Sequence, residues 1–232
     1  MQLSAGTAAR ALLEFLFPSR CVHCRTEGAL LCTRCLDGAP RLNGPVCRRC
    51  ALPLQGGNLC SRCASRAPAL DRLIAVFQMG GAIRDAVLGL KYNDLRAVAP
   101  VLAEQMASHP SAGRLTLDAV LPVPLHPSRL RSRGYNQSEL LARGVARQLD
   151  RPLDARSLRR RVNTPPLAKG VSEPERHAAM RGAFAVSGEM TGRRVLIVDD
   201  VATTCATLNA CAAALKQAGA AYVAALVLAR EI

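Results

Sequence analysis

The chain has no tryptophan, and four phenylalanines and three tyrosines are the whole aromatic content of its 232 residues. Single-strand-binding surfaces usually stack bases on aromatic rings, so no such platform is in evidence. Long apolar runs are also missing. The longest near the N-terminus, Ala11-Leu12-Leu13-Glu14-Phe15-Leu16-Phe17, is short and carries a carboxylate, which excludes a spanning helix. No basic stretch precedes it and no small-residue cleavage site follows, so no secretory leader or membrane insertion is expected and the chain reads as cytoplasmic. Neither G-x-x-x-x-G-K-[ST] nor G-x-G-x-x-G occurs, which excludes a P-loop and a dinucleotide fingerprint. Lysine is scarce: Lys91, Lys169 and Lys216 stand against 28 arginines. The guanidinium fork suits phosphate, and a formal charge of +14 makes attraction to nucleic acid plausible on charge alone.

Cysteine is what the chain has in quantity. Eight of its ten cysteines form four Cys-x-x-Cys pairs, Cys21/Cys24, Cys32/Cys35, Cys47/Cys50 and Cys60/Cys63. Each pair presents two sulfurs from one tight turn, and two turns close a tetrahedral four-sulfur site. Two structural Zn²⁺ sites are expected, because disulfides would want a secretory context and iron a redox motif. Sequential closure, Cys21, Cys24, Cys32 and Cys35 on one ion and Cys47, Cys50, Cys60 and Cys63 on the other, closes shorter loops. Spacing also permits an interleaved pairing. Eight thiolates and two Zn²⁺ would bring the charge from +14 to +10, still basic. His23 is expected to be exposed rather than a ligand, and Cys205 and Cys211 to be free thiols.

The rest of the chain is organised around Arg194 to Leu208. Val195-Leu196-Ile197-Val198 reads as a buried parallel strand with Asp199 and Asp200 at its C-terminal end. A run of small and hydroxyl residues then opens a helix from Thr207 to Ala218. Adjacent carboxylates accept hydrogen bonds from a sugar diol or hold a hard cation such as Mg²⁺, and N–H groups at a helix start favour phosphate. A phosphorylated ribose satisfies both.

Further apolar strands are expected at 73–77, 118–123, 183–186 and 222–228, with helices near 7–17, 82–90, 95–106 and 138–149. This alternation argues for a doubly wound, mainly parallel α/β sheet. Pro68 marks a linker, dividing an N-terminal helix and metal module (1–66) from the α/β domain (67–232). Arg129-Leu130-Arg131-Ser132-Arg133-Gly134-Tyr135-Asn136-Gln137 reads as a compact cationic loop suited to a departing pyrophosphate. Lys91, at a helix end, is expected to be solvated. Residues 151–182, polar and proline-rich, read as a surface excursion able to form a lid.

Val195 to Thr207 resembles the phosphoribosyl pyrophosphate (PRPP) signature of type I phosphoribosyltransferases. Together with the Cys-x-x-Cys pairs and the Arg-Gly-Tyr-Asn-Gln run, it makes nearly the whole chain similar to the ComF family of bacterial competence and GntX-like proteins. The resemblance implies that Asp199 and Asp200 hold the ribose hydroxyls and that Thr203, Thr204, Cys205, Ala206 and Thr207 cradle the 5′-phosphate. It sets Arg131, Arg133 and Asn136 facing PRPP, with Asp199, Asp200 and Arg133 as the catalytic set and Mg²⁺ accompanying the ligand. Arg161 and Thr164 match a family pattern, and Leu167 stands where the family usually has Gln; ComF-like chains also carry a Lys at the position of Lys91, to which the resemblance allows a phosphate role. Thr203 replaces the Asp of purine-salvage relatives, which argues against a 6-oxopurine acceptor. Cys205 occupies a position that is usually Gly, which requires either a negative φ or accepted strain. Two readings of function follow: a PRPP-binding phosphoribosyltransferase-like protein, or a zinc-containing module that grips single-stranded DNA. A third is a scaffold that has kept the fold and lost the chemistry.

Overall fold

The computed structural model describes residues 18–163 and 173–232; the helix expected over 7–17 lies outside them. Two short helices, α1 (Thr33–Asp37) and α2 (Ser61–Arg66), belong to the cysteine module. The next elements are β1 (Arg72–Gln78), α3 (Gly81–Tyr92), a 3-10 turn (Arg96–Val98), α4 (Ala99–Ala107), α5 (Pro110–Gly113) and β2 (Ala119–Pro122). They are followed by α6 (Pro127–Arg133), α7 (Gln137–Gln148), β3 (Leu158–Arg160), α8 (Glu173–Met180) and β4 (Phe184–Val186). The chain closes with β5 (Arg194–Ala202), α9 (Ala206–Gln217) and β6 (Tyr222–Arg230).

Four strands form a parallel sheet in the order β1-β6-β5-β2. Alternate residues of each strand feed opposite faces, and both faces are covered. Ile74, Val120, Leu196, Val198 and Leu226 pack with Ile83, Leu102 and Leu141 of α3, α4 and α7. Leu73, Leu121, Val195, Ile197 and Val227 pack with Leu208 and Leu215 of α9. Burial on both sides is why these strands read as unbroken apolar runs rather than as alternating patterns. The sheet is doubly wound, as its alternation predicts. After β2 the chain crosses to α7 on one face, and after β5 to α9 on the other. The crevice between the C-terminal ends of β2 and β5 is therefore the switch point of the sheet.

Neither edge of the sheet is left bare. Leu42 N–H donates to Val76 O (3.1 Å), Gln78 N–H to Pro40 O (2.8 Å) and Leu73 N–H to Arg48 O (2.8 Å), so the segment joining the two cysteine clusters covers β1. At the other edge Val120 N–H donates to Pro152 O (2.8 Å) and Asp154 N–H to Val120 O (2.9 Å). Covering these groups satisfies donors and acceptors that would otherwise invite another strand. The excursion expected over 151–182 is tethered at its described ends. β3 and β4 pair antiparallel, and Leu158, Met180 and Phe184 are buried in the same core as α9.

One expected loop is a helix. Residues 127–133 form α6, with Pro127 at its first position and the His126 side chain accepting from Ser128 N–H. Gly134, at φ 80°, closes it in the left-handed conformation that glycine adopts without a Cβ penalty. Asn136 then caps α7 by accepting from Ser138 N–H.

Helix α7 packs closely on α4 at Gly144, where a Cβ would lie 2.5 Å from Ala103 Cβ. Gly144→Ala raises helix propensity yet forces the two helices apart, and the clash is expected to dominate. Urea unfolding should give a variant less stable by ~1–3 kcal/mol.

Candidate functional site

The eight clustered sulfurs form two groups, Cys21, Cys24, Cys32, Cys35 and Cys47, Cys50, Cys60, Cys63, with all ligand atoms in each group within 4.8 Å of one another. This is the sequential pairing. A tetrahedral ion with Zn–S bonds of ~2.3 Å sets its sulfurs about 3.8 Å apart. Cys24 Sγ and Cys32 Sγ are 3.6 Å apart, and Cys50 Sγ and Cys60 Sγ 3.7 Å, so both groups fit Zn²⁺.

The two clusters repeat one design. The residues after the second cysteine, Arg25 (φ 64°) and Ala51 (φ 55°), turn left-handed and donate N–H to Cys21 O (2.9 Å) and Cys47 O (2.8 Å). Cys32 and Cys60 each cap a short helix. Without a cation the sulfurs do not ionise together: the Thr26 hydroxyl draws Cys24 down to about 5, and its hydrogen bond with Cys24 pushes Cys35 up to about 12. A dication removes that conflict. His23 lies outside the sulfur group, its Nδ1 2.8 Å from Asp85 Oδ2.

Asp199 and Asp200 lie at the switch point, 8% and 3% exposed, just before the end of β5, which continues to Ala202. Asp199 Oδ1 accepts from Ser138 Oγ (2.6 Å) at the start of α7 and from Asp200 N–H (2.9 Å). Asp200 Oδ1 accepts from Val201 N–H (2.9 Å). Lys91, expected to be solvated, instead reaches in from the end of α3, with Nζ 2.6 Å from Asp200 Oδ2. Among the described residues this ammonium is the partner of the buried Oδ2. Burial, reinforced by the neighbouring charge of Asp200, lifts Asp199 to about 7 against the opposing pull of Ser138 and Lys91. Burial lowers Lys91, but the Asp200 carboxylate outweighs it and the ammonium ends above its ordinary value. Two acids facing one ammonium leave an acceptor-rich crevice suited to hydroxyl donors or a cation.

Past β5, Thr203 is exposed, Thr204 and Thr207 are half-buried, and Cys205 is buried. Cys205 caps α9 at φ 63°, ψ 10°, so the turn keeps the left-handed conformation natural to glycine and accepts the strain. Its Sγ lies 3.9 Å from Cys50 O, against the second cysteine cluster. Asn209 Nδ2 donates to Cys205 O (3.1 Å), and Leu70 N–H donates to Asn209 Oδ1 (3.4 Å). A cavity of about 800 Å³ lies beside this turn, lined in part by Arg62, Arg66, Thr204, Cys205 and Arg230.

The arginine run is less uniform than the sequence suggests. Arg131 is exposed. Arg133 donates to Gln137 Oε1 and lies over the Tyr92 ring, 5.6 Å from its centroid. Asn136 commits its amide to the fold, capping α7 and donating Nδ2 to Val123 O (3.0 Å). Tyr135 OH donates to Leu90 O. Arg161 is exposed, with its N–H on Ala183 O (2.8 Å), and Thr164 and Leu167 lie outside the described residues. Arg160 is the unforeseen neighbour: it sits over Phe184 at 5.5 Å, and burial and the adjacent Arg129 lower it while Asp199 opposes. Ser138, Lys91 and Arg160 meet the acid pair only through tertiary packing.

Compared with known proteins, residues 12–64 match the double zinc ribbon domain and residues 136–232 the phosphoribosyl transferase domain. The chain is 30% identical over 225 residues to DNA utilization protein YhgH of Escherichia coli (strain K12), covering 93% of this chain and 98% of that one. It is 29% identical over 216 residues to competence protein F of Haemophilus influenzae (88% and 93%). It is 26% identical over 225 residues to competence protein ComFC of Streptococcus pneumoniae (94% of each).

Because Asp199 is lifted from 3.8 to about 7, its contribution to stability is complete below about pH 4 and is lost as pH rises through 7. Asp199→Asn mimics the neutral form. Without ligand, the variant should be more stable than the parent above about pH 8, by on the order of 4 kcal/mol, and the gap should close only below about pH 4. Thermal unfolding across this range reads the effect.

Proposed function

The chain belongs to the family of competence protein F and DNA utilization protein YhgH, and from its acidic crevice we propose that it binds PRPP with Mg²⁺. The observation that carries this reading is the buried acid pair, with Lys91 on Asp200 Oδ2, at the sheet's switch point directly before the hydroxyl-rich start of α9. Asp199 and Asp200 take the ribose hydroxyls. The N–H groups and hydroxyls of Thr203 to Thr207 take the 5′-phosphate, as helix N-termini do. Arg131 and Arg133 of α6 balance the pyrophosphate, and Arg160, itself next to Arg129, adds charge near Asp199. Mg²⁺ held near the acid pair would neutralise part of the pyrophosphate charge; acceptor-only carboxylates fit it.

In turnover, Asp199 and Asp200 stabilise positive charge developing on the ribose while Arg133 assists the leaving pyrophosphate. Among the described residues around the crevice none is assigned as a base for an acceptor, so binding and transfer are separate propositions. The reading places this chemistry in residues 67–232, in a cytoplasmic protein whose residues 1–66 hold two structural Zn²⁺. A second reading, single-stranded DNA binding without turnover, draws on the +14 charge and on relatives named for competence and DNA utilization.

Calorimetric titration separates the two. PRPP affinity that needs Mg²⁺ and drops at least ~100-fold in Asp199→Asn/Asp200→Asn supports the first. Affinity for a single-stranded oligonucleotide that ignores those substitutions and falls steeply with salt, without PRPP binding, supports the second.

The φ of 63° at Cys205 yields another expectation. Cys205→Gly should bind PRPP within about threefold of the parent. Cys205→Val, whose branched side chain resists that conformation, should lose ~1–3 kcal/mol of stability and bind more weakly. Thermal melts and the same titration measure both.

A further inference from the structure

Arg230 ends β6 at 3% exposure, and among the described residues its guanidinium meets carbonyl oxygens and no carboxylate. Nε donates to Cys50 O (2.8 Å); Nη1 donates to Ala202 O (3.0 Å), to Thr203 O and to Glu231 O. A buried cation is tolerated only where dipoles are fixed around it. Besides Glu231 O of its own segment, they come from two places: a candidate ligand residue of the second four-cysteine cluster, and the end of β5 with the first residue of the turn that opens α9.

Two uncharged threads run the same way, Cys205 Sγ toward Cys50 O and Asn209 Oδ1 to Leu70 N–H. The metal would pin Cys50 through its sulfur and hence its carbonyl. Arg230 passes that constraint to Thr203 O. The first cluster packs on the opposite face of the sheet, with α3, and no described hydrogen bond joins it to this turn.

We propose that Arg230 is a positioning residue through which metal at Cys47, Cys50, Cys60 and Cys63 sets the shape of the 203–207 turn, so that this metal and the ligand of the turn bind cooperatively. The inference rests on the reading that the turn holds the 5′-phosphate of PRPP. By linkage the effect is reciprocal: if metal at the second cluster favours PRPP, PRPP retains that metal.

The test uses the full-length, zinc-loaded protein in the presence of a competing chelator and N-ethylmaleimide, with alkylation followed cysteine by cysteine by mass spectrometry. Saturating PRPP with Mg²⁺ is expected to slow modification of Cys47, Cys50, Cys60 and Cys63 by ~10-fold or more, leaving Cys21, Cys24, Cys32 and Cys35 unchanged. Arg230→Lys keeps the charge and loses the fork. It is expected to abolish this selective protection and to weaken PRPP by ~10-fold while remaining folded by circular dichroism. Arg230→Met should go further in the same direction. A parent protein that binds PRPP yet shows no protection, or equal protection of both clusters, overturns the proposal without any variant being needed.

If the parent binds no PRPP, the functional reading fails, and Arg230 is judged on ligand-free rates. Faster modification of the second cluster alone in Arg230→Lys upholds the tie between Arg230 and the metal. Unchanged rates remove it.

Discussion

Two carboxylates and one ammonium share the buried end of β5, and that imbalance governs the site. Ser138 and two backbone N–H groups ease it, but Asp199 still stands near neutrality in its proton equilibrium. Burying a second acid beside Asp200 stabilises nothing in the ligand-free fold. It is tolerated because both faces of the sheet are packed and both edges covered, so stability comes from elsewhere. A ligand that brings hydroxyl donors, or a cation, would relieve the strain that the fold maintains. Residues costly to the empty protein are what a binding site looks like energetically.

The metal module is part of the same construction. Its inter-cluster segment supplies the hydrogen bonds that finish the β1 edge, and its two clusters attach to different faces of the sheet. Cys21, Leu31 and Leu36 pack with α3 and α4, and Cys47, Cys50 and Cys63 with α9. Few large apolar side chains lie between Cys21 and Cys63, so metal–sulfur bonds would take over the stabilising work that a larger core would do. Each Zn²⁺ would then hold one face, which makes the second cluster a neighbour of the hydroxyl turn rather than an appendage.

What is legible in the sequence is local. Unbroken apolar strands, Cys-x-x-Cys spacing and adjacent acids before a hydroxyl run are patterns within a few residues, and each appears in place. The pairing of sulfurs follows from the shortness of the loops. The arginine run reads as a loop because α6 is a short helix with no buried residue, hence no apolar period to detect; its signals are Pro127 at the start and Gly134 at the end. Ser138 with Asp199 and Arg230 with Cys50 are separated by 61 and 180 residues. No window of sequence contains such contacts, since they exist only once the sheet order is set.

Cys205 joins these levels. A left-handed non-glycine residue costs roughly 1–2 kcal/mol, and glycine would adopt the same φ without that cost. The cost is accepted where the side chain has a place to go, and here the thiol is buried against the carbonyl of Cys50. A free cysteine packs as a small apolar group, so the side chain adds contact between turn and cluster that glycine cannot supply. The departure from glycine therefore exchanges backbone ease for attachment to the metal module, and the turn keeps the shape that glycine would have given it.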